Sequence, residues 1–105
     1  MIEIIFNPEE YRLTISGHAN YKREGEDIVC AGVSTLVHTL YGSLQQAEEM
    51  IENGSLRCEM EKGRTVISCK AKPEFEGNIG LIYWTILNGF QMVAERSPEY
   101  VTLKA

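Results

Sequence analysis

Val29, Val33, Leu36, Val37, Leu40, Leu44, Ala47 and Ile51 recur at intervals of three and four residues. Apolar side chains at that spacing line one face of an α-helix, and a stripe this long needs an apolar surface to cover it. The flanking sequence supplies that surface in a different rhythm. Ile2, Ile4 and Phe6 alternate with polar residues, and Leu13 and Ile15 do so again after the turn-forming Asn7-Pro8-Glu9-Glu10. Leu56, Cys58 and Met60 alternate in turn, Lys62-Gly63 reverses the chain, and a partner strand follows from Arg64 to Ala71. A second helical stripe, carried by Ile79, Ile82, Tyr83, Ile86, Phe90, Val93 and Ala94, begins after Lys72-Pro73 and stops at Ser97-Pro98. Tyr100 to Leu103 closes the chain as a last strand.

The order ββαββαβ predicts one α+β domain, residues 1–105, with two long helices packed on a mixed sheet. The first helix is expected from about Ile28 to about Glu52, with Asp27 as its N-cap and Asn53-Gly54 as its stop. Between the first hairpin and this helix, Ser16 to Asp27 follow neither periodicity and read as a mobile loop.

Composition narrows the function classes. Fifteen acidic residues against ten basic ones leave a net charge of −5, dispersed along the chain. Direct nucleic-acid binding needs a concentrated basic surface and is not expected. The N-terminus has no basic segment followed by an apolar run and cleavage site, and no stretch approaches the roughly 20 apolar residues that cross a bilayer. A cytoplasmic protein with no membrane partner is the expectation. The three cysteines form no CxxC pair, so neither a disulfide framework nor a zinc ribbon is indicated, and no metal or cofactor is expected.

Cys30 carries the strongest chemical signal. With Asp27 as N-cap it would be the third helical residue, where unpaired N–H groups and the helix dipole favour a thiolate. His18, just after a strand and across the loop, supplies an imidazole to take the thiol proton. Each residue also has a plainer reading. A first-turn cysteine is more often a packing residue, and a single histidine is more often a solvated one. Asp27 caps the helix or orients the imidazole, and Ser34, one turn beyond Cys30, contacts substrate or bonds back to its own helix. Cys58 and Cys69 alternate with the apolar residues of the second hairpin and read as core thiols. His38 lies about 12 Å along the helix from Cys30 and reads as structural or interfacial.

Gly17-His18-Ala19, then Gly25, then Asp27-Ile28-Val29-Cys30-Ala31-Gly32-Val33-Ser34 resembles the signature of the ribosomal-processing cysteine protease family, Prp. A histidine followed twelve residues later by cysteine in this setting is specific. The resemblance implies a homodimeric endopeptidase that removes a short N-terminal extension from large-subunit ribosomal protein number twenty-seven. It implies catalytic roles for His18 and Cys30 and supporting roles for Asp27 and Ser34. Gly17 and Gly25 flank the loop between the dyad members and are expected to absorb its movement when a peptide enters. Two rival readings use the same residues. A non-catalytic ribosome-associated binding module needs a basic or aromatic surface that the net charge does not support, whereas a thiol enzyme of another reaction type differs only in substrate.

Overall fold

A computed structural model describes residues 1–17 and 26–105. β1 (Ile2–Asn7) and β2 (Arg12–Ser16) form the first hairpin, and β3 (Arg57–Glu61) and β4 (Arg64–Ser68) the second. β5 (Val101–Lys104) runs parallel to β1, whereas every other pairing is antiparallel. The sheet is therefore mixed, with strand order β3-β4-β2-β1-β5. Two helices, α1 (Glu26–Gln46) and α2 (Glu76–Arg96), complete the expected order of elements.

Period-two alternation decides which sheet face the helices cover. Ile2, Ile4, Phe6, Leu13, Ile15, Ile67 and Val101 are buried on one side, and the registers Ile4 with Ile15, Leu13 with Ile67 and Ile2 with Val101 bring them together. The helical stripes meet that surface through Val29, Val33, Val37, Leu40 and Leu44 of α1 and Ile79, Tyr83, Ile86, Leu87 and Phe90 of α2. The helices also touch each other closely. A Cβ at Gly89 would stand 2.7 Å from Leu36 Cδ2, so glycine there lets the Leu36 side chain lie close against the α2 backbone.

α2 lies over β1 and β5, with the Phe6 ring stacked 5.4 Å from Tyr83 and edge-on at 5.7 Å from Trp84. α1 therefore occupies the β2/β4 half. Helices about 10 Å wide span roughly two strands each at a spacing of about 4.8 Å, so two of them cover four strands and leave the fifth bare. That strand is β3, at the sheet edge, where Cys58 is half-buried and its other residues are exposed.

Three boundaries differ from the sequence expectation. Asp27 lies inside α1 rather than at its cap. Acidic residues suit the first turn as well as the cap, so the sequence does not separate the two positions. The helix ends at Gln46 instead of about Glu52, passes into a short 3-10 turn at Glu48–Met50, and leaves Ile51 bridged to Ala71. Ile51 keeps the helical spacing but is buried from an extended backbone. β4 stops at Ser68, short of Ala71, because the chain there already serves that bridge. Most of the expected loop between β2 and α1 lies outside the described residues.

Candidate active site

α1 starts at the end of the sheet where β2 finishes. Gly17 N–H donates to the Gly63 carbonyl oxygen at 3.0 Å, which fixes the last residue of the first hairpin beside the turn of the second. Gly17 has φ +91°, and a Cβ there would overlap the Met1 carbonyl oxygen. Only glycine fits that position. Its sequence neighbour His18 and the second flanking glycine, Gly25, lie outside the described residues.

Cys30 is half-buried and packs against the rim of the core. Because Glu26 and Asp27 already lie in α1, Cys30 is not its third residue. Its own N–H therefore enters the helical ladder.

Ser34 is exposed one turn further on. The Thr35 hydroxyl bonds back to the Ala31 carbonyl oxygen at 2.8 Å, but the Ser34 hydroxyl makes no such bond. His38 Nδ1 donates to the Ser34 carbonyl oxygen at 2.8 Å and stands 3.5 Å from Ser34 Oγ. The same bond ties His38 to its own helix, consistent with a structural place for it.

Cys30, Ser34, Tyr41 and Gln45 are separated by four, seven and four residues and so share one edge of α1. Leu36, which meets Gly89 of α2, lies on the opposite edge. The Cys30 edge thus faces away from α2 and toward the uncovered strand β3. Tyr41 and Gln45 line a cavity of about 640 Å³ with Leu56, which immediately precedes β3. Sequence reading missed Tyr41 as part of this edge, although its spacing from Cys30 carried the signal.

The other thiols are differently placed. Cys69 is buried, with Sγ 3.7 Å from the Tyr83 hydroxyl, and burial raises its pKa while that hydrogen bond lowers it in part. Tyr83 is raised far above an ordinary phenol by burial and by Cys69. Cys58, expected as a core thiol, is only half-buried because no helix covers β3, yet burial still raises its pKa. A cavity of about 710 Å³ at this far end, lined by Tyr11, Glu52, Cys69, Lys70 and Glu76, includes none of the candidate residues. Among the described residues no group of His, Cys, Asp and Glu could hold a metal ion, and no helix is long and apolar enough to cross a membrane.

A half-exposed thiol at the edge of a helix, facing an unfilled strand of the sheet, is the equipment of a thiol enzyme that works on extended chains. The family model described as cysteine protease Prp matches residues 1–102. The chain belongs to that family of cysteine proteases. Solved structures share its fold. The ribosomal processing protease Prp from Staphylococcus aureus, in complex with a substrate peptide, is 21% identical with a TM-score of 0.72, over 98% of this chain and 95% of that one. The same protease with a covalently linked product peptide gives 22% identity and a TM-score of 0.71 over the same shares. SMU.848 from Streptococcus mutans gives 27% and 0.69, over 98% of this chain and 90% of the other. No curated protein matches the sequence.

Proposed function

We propose that this cysteine protease removes a short N-terminal extension from large-subunit ribosomal protein number twenty-seven in the cytoplasm, with His18 and Cys30 as its dyad. The observation that carries the reading is the placement of Cys30. It is the half-exposed thiol at the sheet end where Gly17, the residue bonded to His18, is anchored. His18 takes the thiol proton, and the Cys30 sulfur attacks the scissile carbonyl to form the C–S bond. The resulting oxyanion is met by backbone N–H groups at the start of the first helix, including that of Cys30, an effect worth roughly 3 kcal/mol per donor. His18 then protonates the leaving amine as the C–N bond breaks. Water, deprotonated by His18, hydrolyses the thioester and restores the thiol. Ser34 borders the path of the peptide, and Asp27 and Gly25 support the segment between the dyad members.

The same reading includes a homodimer. Ile28–Gln46 and Gly77–Ala94 contain no Asp, Glu, Lys or Arg, although both helices have solvent-facing sides. Leu81, Trp84 and Met92 project from α2 at 68%, 49% and 54% exposure. An uncharged two-helix face with large apolar side chains suits a second copy of itself. Phe90 takes no part in that surface, because it belongs to the sheet-facing stripe and is fully buried in the core.

The test is cleavage of the extension-bearing ribosomal protein, followed by mass spectrometry. Wild type is expected to shorten it, and His18→Ala and Cys30→Ala are expected to leave it intact. Cleavage by either variant within tenfold of wild type would refute the dyad.

A further inference from the structure

The ladder between β2 and β4 stops one step early. Lys62-Gly63 is a two-residue turn, so Arg64, Val66 and Ser68 aim their N–H and C=O groups at β3, and Thr65, Ile67 and Cys69 aim theirs at β2. The bond from Gly17 N–H to the Gly63 carbonyl oxygen fits the same alternation. Ile15 pairs with Thr65 and Leu13 with Ile67, and the next pair in register is Tyr11 with Cys69. That pair is not made. Tyr11 has φ +45°, its ring stacks 5.4 Å from Tyr83, and its hydroxyl donates to the Glu76 carbonyl oxygen at 3.0 Å, so the hairpin tip is held toward α2 and off the end of β4. A left-handed backbone is strained at tyrosine, and here it keeps a gap open in the sheet.

Cys69 is 3% exposed, yet among the described residues nothing bonds its N–H or its carbonyl oxygen. The other edge of the same segment is filled. Glu52 N–H donates to the Lys70 carbonyl oxygen at 2.8 Å, Lys70 N–H to Ser55 Oγ at 3.1 Å, and Lys72 N–H to the Met50 carbonyl oxygen at 2.9 Å. Alternation then turns Ala71, like Cys69, into the gap. Tyr11 and Cys69 both line the cavity of about 710 Å³ at this end of the sheet, so the gap opens into it. Buried backbone groups are nearly always paired, and a donor and an acceptor left together at strand spacing call for a partner that carries the matching two. Carboxylates and cations share the rim, among them Glu52, Glu76, Arg57 and Lys70, so a simple ion of either sign gains little there. A peptide backbone supplies both the acceptor and the donor.

We propose that this cleft is a second peptide site, which takes an extended segment of the substrate protein into the open ladder position beside Cys69 and Ala71, away from the cut. The proposal rests on the ribosomal protein being the substrate and adds a second point of contact with it. Gly63, at the Cys30 end, and Cys69 are six positions apart, about 20 Å at about 3.4 Å per strand residue, so the segment held here is not the one being cleaved. Its backbone bonds to Cys69 whatever its sequence. A contact this far from the reacting bond lowers KM for the whole protein and leaves the chemical step unchanged.

Two measurements separate the second site from the catalytic reading. The first compares the whole ribosomal protein with a short peptide of about four residues on each side of the cut, too short to reach from Cys30 to the cleft. Ser68 is half-buried, lines the cavity and lies on the sheet face away from the helices, so Ser68→Trp fills the mouth of the cleft without removing a core side chain. Ser68→Trp should raise KM for the whole protein about tenfold, with kcat unchanged and the short peptide cleaved as by wild type. The second follows amide hydrogen exchange in Cys30→Ala protein with and without the ribosomal protein. Slowed exchange at Cys69 and Ala71 is the expected result. A KM left unchanged, or raised equally for both substrates, overturns the second site, and so does exchange at Cys69 and Ala71 that the ribosomal protein leaves unaltered. Wild type that cleaves neither substrate overturns the catalytic reading, and the exchange measurement then decides the second site by itself.

Discussion

Cys30 and Cys69 are the same side chain at opposite ends of one folded unit, and their surroundings divide their chemistry. Cys69 is 3% exposed, hydrogen-bonded to a tyrosine hydroxyl, and held in its neutral form by burial. Around it Tyr83 stacks between Phe6 and Tyr11, and the Tyr11 hydroxyl donates to the Glu76 carbonyl oxygen at 3.0 Å. Every polar side chain in that cluster has a partner inside the protein, and the cluster ties both hairpins to the start of α2. Cys30 sits on a helix edge, half-buried against the rim of the core. The comparison teaches that reactivity here is set by what is left uncovered. Two helices cover four strands, and Cys30 lies where that cover runs out.

The largest expected effect separates the two thiols by function. Cys30→Ala should reduce peptide cleavage by at least a thousandfold with an unchanged circular dichroism spectrum. Cys69→Ala should keep cleavage near wild type while lowering unfolding stability by about 1 kcal/mol or more. Equal inactivation by both would erase the distinction.

Gly17→Ala comes next, because it strikes the anchored end of β2 that leads to His18. The added Cβ meets the Met1 carbonyl oxygen, and the positive φ is strained for alanine, a combination that costs about 1–3 kcal/mol. Denaturant unfolding should show that loss, together with slower cleavage. A variant as stable as wild type would mean that the backbone there relaxes freely.

Leu81→Glu with Trp84→Lys probes the uncharged helix face. Sedimentation should show the wild type as a dimer of 11.9 kDa chains and the double variant as a monomer. A wild type that sediments as a monomer at micromolar concentration would remove the dimer from the account.

The smallest effect is the pH dependence of the buried cluster. Cys69, Tyr83 and Tyr11 all have folded pKa values raised above their ordinary ones, chiefly by burial. Each then binds its proton more tightly folded than unfolded. Its stabilising contribution is complete below the unfolded thiol or phenol value and is lost as pH rises toward the folded one. The urea midpoint should therefore fall in the alkaline range above the ordinary thiol pKa, and Cys69→Ala should flatten the first part of that fall. A midpoint that rises with alkali would contradict the burial argument.

Much of this architecture is legible in the residues. The two helical stripes and the alternating strands are long and regular, so their order and the mixed sheet follow from periodicity. Cys30, Ser34 and Gly17 carry their placement in local pattern as well. What the sequence conceals depends on contacts distant along the chain. Nothing in Cys58 or Met60 says that β3 is an edge strand, because strand order is set by which hairpin lies beside which. Ile51 continues a helical spacing yet is recruited by Ala71 into a bridge. Phe90 belongs to an apolar stripe whose inner half is indistinguishable from its outer half until the helix is seated. The start of α1 escapes because Glu26 and Asp27 are both acceptable in a first turn.

The most direct test of the account asks which sulfur meets the substrate. The extension peptide, ended at its cut by an electrophilic ketone in place of the scissile amide, is incubated with wild-type protein at neutral pH, and the adduct is mapped by mass spectrometry. The account predicts one peptide per chain, attached at Cys30, and none on Cys30→Ala. Attachment at Cys58 or Cys69, or undiminished labelling of Cys30→Ala, would contradict it.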